Sequence, residues 1–166
     1  MASQTRTLVS VAEYLATIYE PDAEYIDGRI IGRNVGQKKH SLLQAALTSY
    51  FYARRAELGI NVFPEQRVRI GPDRYRIPDV AVVRVPEPEE EVFATPTLLC
   101  IEILSPDDRA SEMLAKVQEY LDWGVEYVWL VDPAMKTGWS YMRTGAIEWA
   151  ENGVLSRPFE VNLREI

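Results

Sequence analysis

Cysteine and histidine are nearly absent from this chain of 166 residues, which has one of each, Cys100 and His40. A structural zinc site needs about four Cys or His ligands, so zinc fingers and zinc hydrolases are excluded. One cysteine cannot form a disulfide within the chain, which fits a reducing compartment. A Ser-His-Asp triad would have to use His40, and the sequence has no G-x-S-x-G elbow. The phosphate-binding patterns G-x-x-x-x-G-K-[ST] and G-x-G-x-x-G are also missing.

Positive charge is in short supply as well. The 18 Lys and Arg residues face 25 Asp and Glu residues, and the net charge is −7. This argues against a protein that coats nucleic acid through bulk positive charge. The charge is uneven, because residues 1–85 carry 12 basic and 9 acidic groups whereas residues 86–166 carry 6 and 16. The first half is therefore the better candidate for contact with a polyanion.

Long hydrophobic runs are absent. No apolar stretch approaches the roughly 18 residues of a membrane span, and the first ten residues are too polar for a signal peptide. We therefore expect a cytoplasmic protein with no membrane partner. Apolar residues still make up 47% of the chain, enough for a core, and its length is typical of one domain, residues 1–166.

The hydrophobic pattern predicts helices and strands that alternate along the chain. Helices are predicted at residues 11–18, 37–58 and 109–123, the last with a core stripe of Leu114, Val117 and Leu121. Strands are predicted at residues 23–26, 29–34, 60–70, 75–85, 97–104, 126–131, 139–143 and 147–150. This order predicts an α/β domain in which a mixed β-sheet is flanked by helices.

Glu102 is the most informative residue, because it lies in the middle of the apolar strand 97–104. A buried carboxylate costs several kcal/mol unless it is paired, hydrogen-bonded or bound to a metal. Asp79 follows Pro78 next to another apolar run, where the proline makes the strand irregular. Taken singly, Glu102 is equally well explained by a core salt bridge and Asp79 by a turn-like cap. Together they form a cluster of oxygen ligands of the kind that Mg²⁺ and Mn²⁺ favour.

Lys116 supplies a basic group near this cluster. Helical geometry places it at the boundary of the predicted stripe, on a flank shared with Arg109 and Glu112. From there it could reach over the edge of the sheet toward the carboxylates. The alternative is an ordinary surface ion pair between Glu112 and Lys116.

These residues resemble the PD-(D/E)XK nuclease superfamily, whose signature matches Pro78-Asp79 followed 23 residues later by Glu102. The chain departs from the pattern at Leu104, where the superfamily usually has lysine. That departure resembles the Uma-type restriction endonucleases, in which the lysine is displaced to the next helix, where Lys116 stands. Further motifs of that family match residues 13–15, 23–29, 40, 102–106 and, with one residue fewer before the glutamate, 124–133.

The resemblance implies a restriction-endonuclease-like fold and a divalent-metal-dependent phosphodiester hydrolase that acts on DNA. Asp79 and Glu102 would be metal ligands, with the carbonyl of Ile103 as a third, and the metal would be Mg²⁺ or Mn²⁺. Lys116 would place a positive charge at the attacking water or the phosphate. Glu24 matches a family glutamate that joins the site, although a surface charge on a short strand explains it too.

Arginines on the early strands could contact phosphate, and solvated strand edges explain them equally well. The candidates for substrate binding are Arg67, Arg69 and Arg76, together with His40, whose helical spacing favours a structural role. A homodimer is expected, since two-fold dimers are common and the resemblance points the same way. The rival interpretation is a catalytically silent nuclease-fold protein that binds nucleic acid or another protein. The missing strand lysine and the negative net charge support that rival.

Overall fold

The computed structural model describes residues 8–33 and 36–166. Helices and strands alternate along the chain, as the hydrophobic pattern predicts. In order they are α1 Val11–Ala16, β1 Ala23–Ile26, β2 Arg29–Gly32, α2 Lys38–Leu58, β3 Ile60–Pro64, β4 Val68–Gly71, β5 Arg74–Arg76, β6 Val80–Arg84, β7 Leu99–Ile103, α3 Ala110–Trp123, β8 Tyr127–Asp132, β9 Thr137–Met142, β10 Ile147–Trp149, β11 Val154–Leu155 and β12 Val161–Asn162.

The central element is a six-stranded sheet with the strand order β10-β9-β8-β7-β6-β3. Strands β7 and β8 are parallel, in a register that pairs Leu99 with Tyr127 and Ile103 with Val131. The other neighbours in this sheet are antiparallel. A smaller antiparallel sheet has the order β2-β1-β5-β4, and β11 pairs with β12. The predicted fold class, a mixed sheet flanked by helices, is confirmed.

The helices α2 and α3 cover opposite faces of the six-stranded sheet. Successive residues of a strand point to opposite faces. In β7, Ile101 packs in the cluster that contains Phe51 of α2, whereas Cys100 packs in the cluster that contains Tyr120 of α3. Glu102 has the same parity as Cys100, so its side chain points toward α3. No helix among the described residues is long and apolar enough to cross a membrane.

The turn signals in the sequence are confirmed. Asp27 and Gly28 join β1 to β2 with φ values of 49° and 82°, the positive pair that a type I′ hairpin turn requires. Gly59 and Gly124 end α2 and α3 in the left-handed conformation. The predicted strand 29–34 extends beyond β2, which ends at Gly32, and its residue 34 lies outside the described residues.

The prediction of a single strand is wrong for two segments, because each of them is divided between the two sheets. Residues 60–70 form β3 in the larger sheet and β4 in the smaller one, with Glu65 between them at a φ of 52°. Residues 75–85 form β5 and β6, and Pro78 between them lacks the N–H that a continuous ladder would need. The second break brings Asp79 to the junction of the two sheets.

The predicted core stripe of α3 is also wrong in part. Leu114 is 47% exposed, whereas Met113, Val117 and Tyr120 are buried. The buried face is therefore rotated from the prediction, and it carries Lys116 inward, because residues three and four apart share a helix face. The side chain of Lys116 is 13% exposed, so it lies at the edge of the buried face.

Candidate active site

The two sheets, α2 and α3 border an open pocket with a volume of about 1200 Å³. Its lining brings together Glu24 of β1, Asp79 before β6, Glu102 of β7 and Lys116 of α3. The three acidic residues are at most 4% exposed. Buried carboxylates need compensating partners. These partners divide the pocket into an α3 side, around Glu24 and Glu102, and an α2 side, around Asp79.

On the α3 side, Lys116 lies between two carboxylates. Its Nζ is 2.8 Å from Glu24 Oε1 and 3.0 Å from Glu102 Oε2. The hydroxyl of Tyr120 donates to Glu102 Oε1 at 2.7 Å. Lys116 and Tyr120 are four residues apart, so both reach the carboxylate from one helix face. The predicted alternative, a surface pair of Lys116 with Glu112, is not what the structure shows.

Glu24 has a second cation, Arg76 of β5. The Nη1 of Arg76 lies 2.7 Å from Glu24 Oε2, and the main-chain N–H of Ile77 donates to Glu24 Oε1 at 3.0 Å. Arg76 is held in turn by Glu119 of α3, whose Oε2 lies 2.8 Å from its Nη2. The alternative interpretation of Glu24, a surface charge on a short strand, is therefore wrong. Glu24 connects the smaller sheet to α3.

The pKa values of the two carboxylates that share Lys116 shift in opposite directions. Burial raises the pKa of Glu102 to about 7, since Lys116 offsets the burial only in part and the charges of Asp79 and Glu24 add to it. Burial also opposes ionisation of Glu24, but Lys116 and Arg76 lower its pKa to about 2. Glu102 is therefore the carboxylate on this side that exchanges a proton near neutral pH.

On the α2 side, Asp79 is surrounded by donors. Its Oδ2 accepts the main-chain N–H of Ile103 at 2.7 Å and lies 3.3 Å from His40 Nε2, and its Oδ1 accepts from Arg33 Nη2 at 2.6 Å. Burial opposes its ionisation, but the hydrogen bond and charge of His40, the Ile103 N–H and Arg33 lower the pKa of Asp79. The same hydrogen bond raises the pKa of His40. Asp79 is therefore held ionised.

The oxygen donors of the pocket suit a hard divalent cation. Asp79, Glu102 and Ile103 all line it, and Mg²⁺ and Mn²⁺ favour oxygen ligands while keeping several waters. Within residues 8–33 and 36–166, no three His, Cys, Asp or Glu side chains form a group that could hold an ion. The buried Nδ1 of His40 has no hydrogen-bond partner in the same part of the chain. A cation would therefore need water or substrate oxygens to complete its coordination.

The four residues predicted for substrate binding are not all brought together. His40 and Arg76 line the pocket, although Arg76 is engaged by two carboxylates. Arg67 lies outside the lining, with its Nη2 3.0 Å from Asp22 Oδ1. Arg69 is exposed on β4, also outside the lining. The role of Arg67 and Arg69 in substrate binding stays a prediction.

Two residues that contact the site carboxylates were not selected from the sequence, Tyr120 and Arg33. Tyr120 follows Lys116 by one helical turn, and that spacing could have identified it. Arg33 offers no comparable signal, because it lies in the segment between β2 and α2, where no periodicity applies. Its approach to Asp79 depends on how the smaller sheet docks against the larger one.

Comparisons with known proteins agree with this fold and identify a family. The family model Uma2, described as "Putative restriction endonuclease", matches residues 11–166. Among solved structures, the chain is similar to a protein of Anabaena variabilis ATCC 29413, described as "a putative nuclease belonging to DUF820". The TM-score is 0.81 at 26% sequence identity, over 95% of this chain and 96% of that chain. No curated protein matches.

Proposed function

Because the chain belongs to the Uma2 family, we propose that it is a divalent-metal-dependent nuclease that hydrolyses phosphodiester bonds of DNA. The observation that carries this proposal is the convergence of three buried carboxylates and a lysine only 13% exposed on one open pocket. Ionised groups are costly to bury. Their concentration beside an accessible cavity favours a chemical role over a purely structural one.

Asp79 and Glu102 are proposed to hold the cation, Mg²⁺ or Mn²⁺, with the carbonyl of Ile103 as a further ligand. When bound, such a cation activates water and offsets the negative charge that develops on the phosphate. Asp79 is suited to this role because it is held ionised, and its Oδ2 is anchored to the main chain of the strand that carries Glu102. The two ligands are thus fixed to one rigid element.

Lys116 is proposed to face the phosphate as a positive point charge. It reaches the pocket from α3, and two carboxylates hold its ammonium group in place. They also raise the pKa of Lys116 despite its burial, so it stays protonated. Glu24 positions this lysine and Arg76 together. In this position the ammonium group would stabilise the negative charge that develops on the phosphate.

The proposal is tested by the conversion of supercoiled plasmid to nicked and linear forms, with Mg²⁺, with Mn²⁺ and with EDTA. We expect cleavage only with a divalent ion, and a loss of about 100-fold or more in Asp79→Asn and Glu102→Gln. The matched control is Asp122→Asn, on the exposed part of α3 outside the pocket lining, which should cleave as the wild type does.

Failure to cut one plasmid could reflect a wrong substrate, so Mn²⁺ binding by calorimetry accompanies the assay. Binding that disappears in Asp79→Asn supports the metal site independently of any substrate. A protein that binds neither Mn²⁺ alone nor Mn²⁺ in the presence of duplex DNA contradicts the nuclease proposal. The silent-module alternative then replaces it. That alternative draws support from the cations that already occupy the site carboxylates.

We also propose that the protein acts as a homodimer, with a cytoplasmic location. The hairpin of β9 and β10 exposes large apolar side chains at the edge of the larger sheet, with Ile147 63% and Trp149 52% exposed. Exposed aromatic residues are common in interfaces. Sedimentation equilibrium should give twice the chain mass, and Trp149→Ser should shift the equilibrium toward the monomer.

A further inference from the structure

The two carboxylate oxygens of Asp79 are bound in different ways. Oδ2 is fixed by the main-chain N–H of Ile103, which belongs to a β-strand of the core. Oδ1 accepts its hydrogen bond from Arg33, at 2.6 Å, the shortest of the contacts to this carboxylate. Because Oδ2 is already held by the strand and lies 3.3 Å from His40 Nε2, we take Oδ1 as the oxygen that a cation would bind. That position is occupied by the guanidinium group.

The charge of Glu102, the second proposed ligand, also acts on Arg33. Burial lowers its pKa, but the charges of Asp79, then Glu102 and Glu65, raise it overall. Its guanidinium thus contacts Asp79 directly and interacts over a longer distance with the charge of Glu102. The other ion pair of Arg33 is with Glu65, at 3.3 Å, and the side chain of Glu65 is 54% exposed. That contact is weakly held, because exposed ion pairs contribute little.

Lys116 provides the contrast. It is bound to two buried carboxylates, and Tyr120 of the same helix holds one of them as well. Arg33 comes from the segment between β2 and α2, and one buried carboxylate holds it. Compared with Lys116, Arg33 can leave its place with the loss of one buried carboxylate partner instead of two.

We propose that Arg33 is a built-in stand-in for the divalent cation: it neutralises Asp79 in the metal-free protein and must leave Oδ1 when a metal binds. This inference rests on the proposed function, since it assumes that Asp79 is a metal ligand. It assigns Arg33 a positioning role that competes with the metal. Removal of Arg33 should therefore strengthen metal binding, whereas loss of a residue that merely supports the site would weaken it.

The test is calorimetric titration of the whole chain with Mn²⁺ alone, without nucleic acid, at about pH 8, where carboxylates are ionised. Arg33→Met removes the competing charge. Arg33→Gln also removes the charge but keeps a hydrogen-bond donor toward Asp79. This variant is titrated instead if Arg33→Met fails to fold. The matched control is Arg84→Met, which breaks the exposed ion pair with Glu126 outside the pocket.

We expect both Arg33 variants to bind Mn²⁺ about tenfold more tightly than the wild type, the scale of a close charge pair that no longer has to be broken. Arg84→Met should bind as the wild type does. If the Arg33 variants bind equally or more weakly while Asp79→Asn abolishes binding, the stand-in role is overturned and the metal site survives. If no variant and no wild-type protein binds Mn²⁺, with or without duplex DNA, both proposals fall.

Discussion

The two sides of the pocket divide positive charge among their carboxylates differently. On the α3 side, Glu24 and Glu102 share one lysine, and the pKa of Glu102 is raised to about 7. On the α2 side, Asp79 is the single carboxylate of the three, and Arg33, His40 and a main-chain N–H contact it. Its pKa is lowered, as is that of Glu24. All three carboxylates are buried to the same degree. The ionisation of each is therefore decided by its share of positive charge and hydrogen bonds, and not by burial alone.

Loss of the shared lysine should have the largest effect. At about pH 8, where Glu102 of the wild type is ionised, Lys116→Met leaves Glu102 with only the Tyr120 hydroxyl, and an orphaned buried charge costs about 3–5 kcal/mol of unfolding free energy. Urea denaturation measures it. The control is Lys39→Met on the exposed start of α2, expected within about 0.5 kcal/mol of the wild type. Addition of Glu102→Gln to Lys116→Met should recover part of the loss. A loss no larger than that of the control would contradict the shared-charge arrangement.

Arg33→Met should cost less than Lys116→Met, about 1–2 kcal/mol, because Asp79 keeps the Ile103 N–H and His40. The same denaturation series measures both variants under metal-free conditions. Arg84→Met is the control for loss of an exposed arginine ion pair. If Arg33→Met and Lys116→Met lower the unfolding free energy equally, Asp79 depends on its arginine as much as Glu102 depends on its lysine, which contradicts the comparison.

Tyr120→Phe should cost about 1.5 kcal/mol, the lower end of the range for a hydrogen bond to a carboxylate, because Glu102 keeps its lysine. The ring stays in place, so the packing of α3 is unchanged. Tyr52→Phe, whose side chain is exposed on α2, is the matched control and should be neutral. Thermal and urea denaturation should both show that Tyr120→Phe is less stable than Tyr52→Phe. If Tyr120→Phe is as stable as the wild type, the Tyr120 hydroxyl does not stabilise Glu102.

The pH dependence of stability gives the finest test. In EDTA, native Glu102 keeps its proton between about pH 4.5 and 7, whereas the unfolded chain has lost it. The native state binds more protons over that window, so this group lowers the unfolding free energy as pH rises. Glu102→Gln lacks this contribution and should gain stability relative to the wild type from pH 4.5 to pH 7. Glu112→Gln, on an exposed side chain, should show no such trend. Parallel curves for Glu102→Gln and the wild type would refute the raised pKa.

Much of the fold could be predicted from the sequence, because the responsible signals are local. The Asp27-Gly28 turn, the closing Gly59 and Gly124, and the apolar strand around Glu102 act through the backbone or the immediate neighbours. Glu102, Asp79 and Lys116 could be selected because each is a polar residue in an apolar setting or at a characteristic spacing. That argument requires partners for these residues but does not identify them.

The errors have one common cause. The segments 60–70 and 75–85 have the alternation of continuous strands, but each crosses from one sheet to the other. Leu114 has the right spacing for a core position, yet α3 turns Met113 and Lys116 inward instead. Local pattern does not record which sheet a strand joins, or how a helix rotates to fill the space above it. Packing between distant segments settles both.

The sequence by itself determined the class of fold, the turns, and the presence of carboxylates that need partners. Only the tertiary structure decided that Glu24 and Glu102 share Lys116, and that Arg33 faces Asp79. The physical reason is the distance along the chain over which each interaction acts. Backbone conformation and hydrophobic periodicity act over a few residues, whereas the charge balance of a buried site depends on groups that meet only after the sheets and helices have docked.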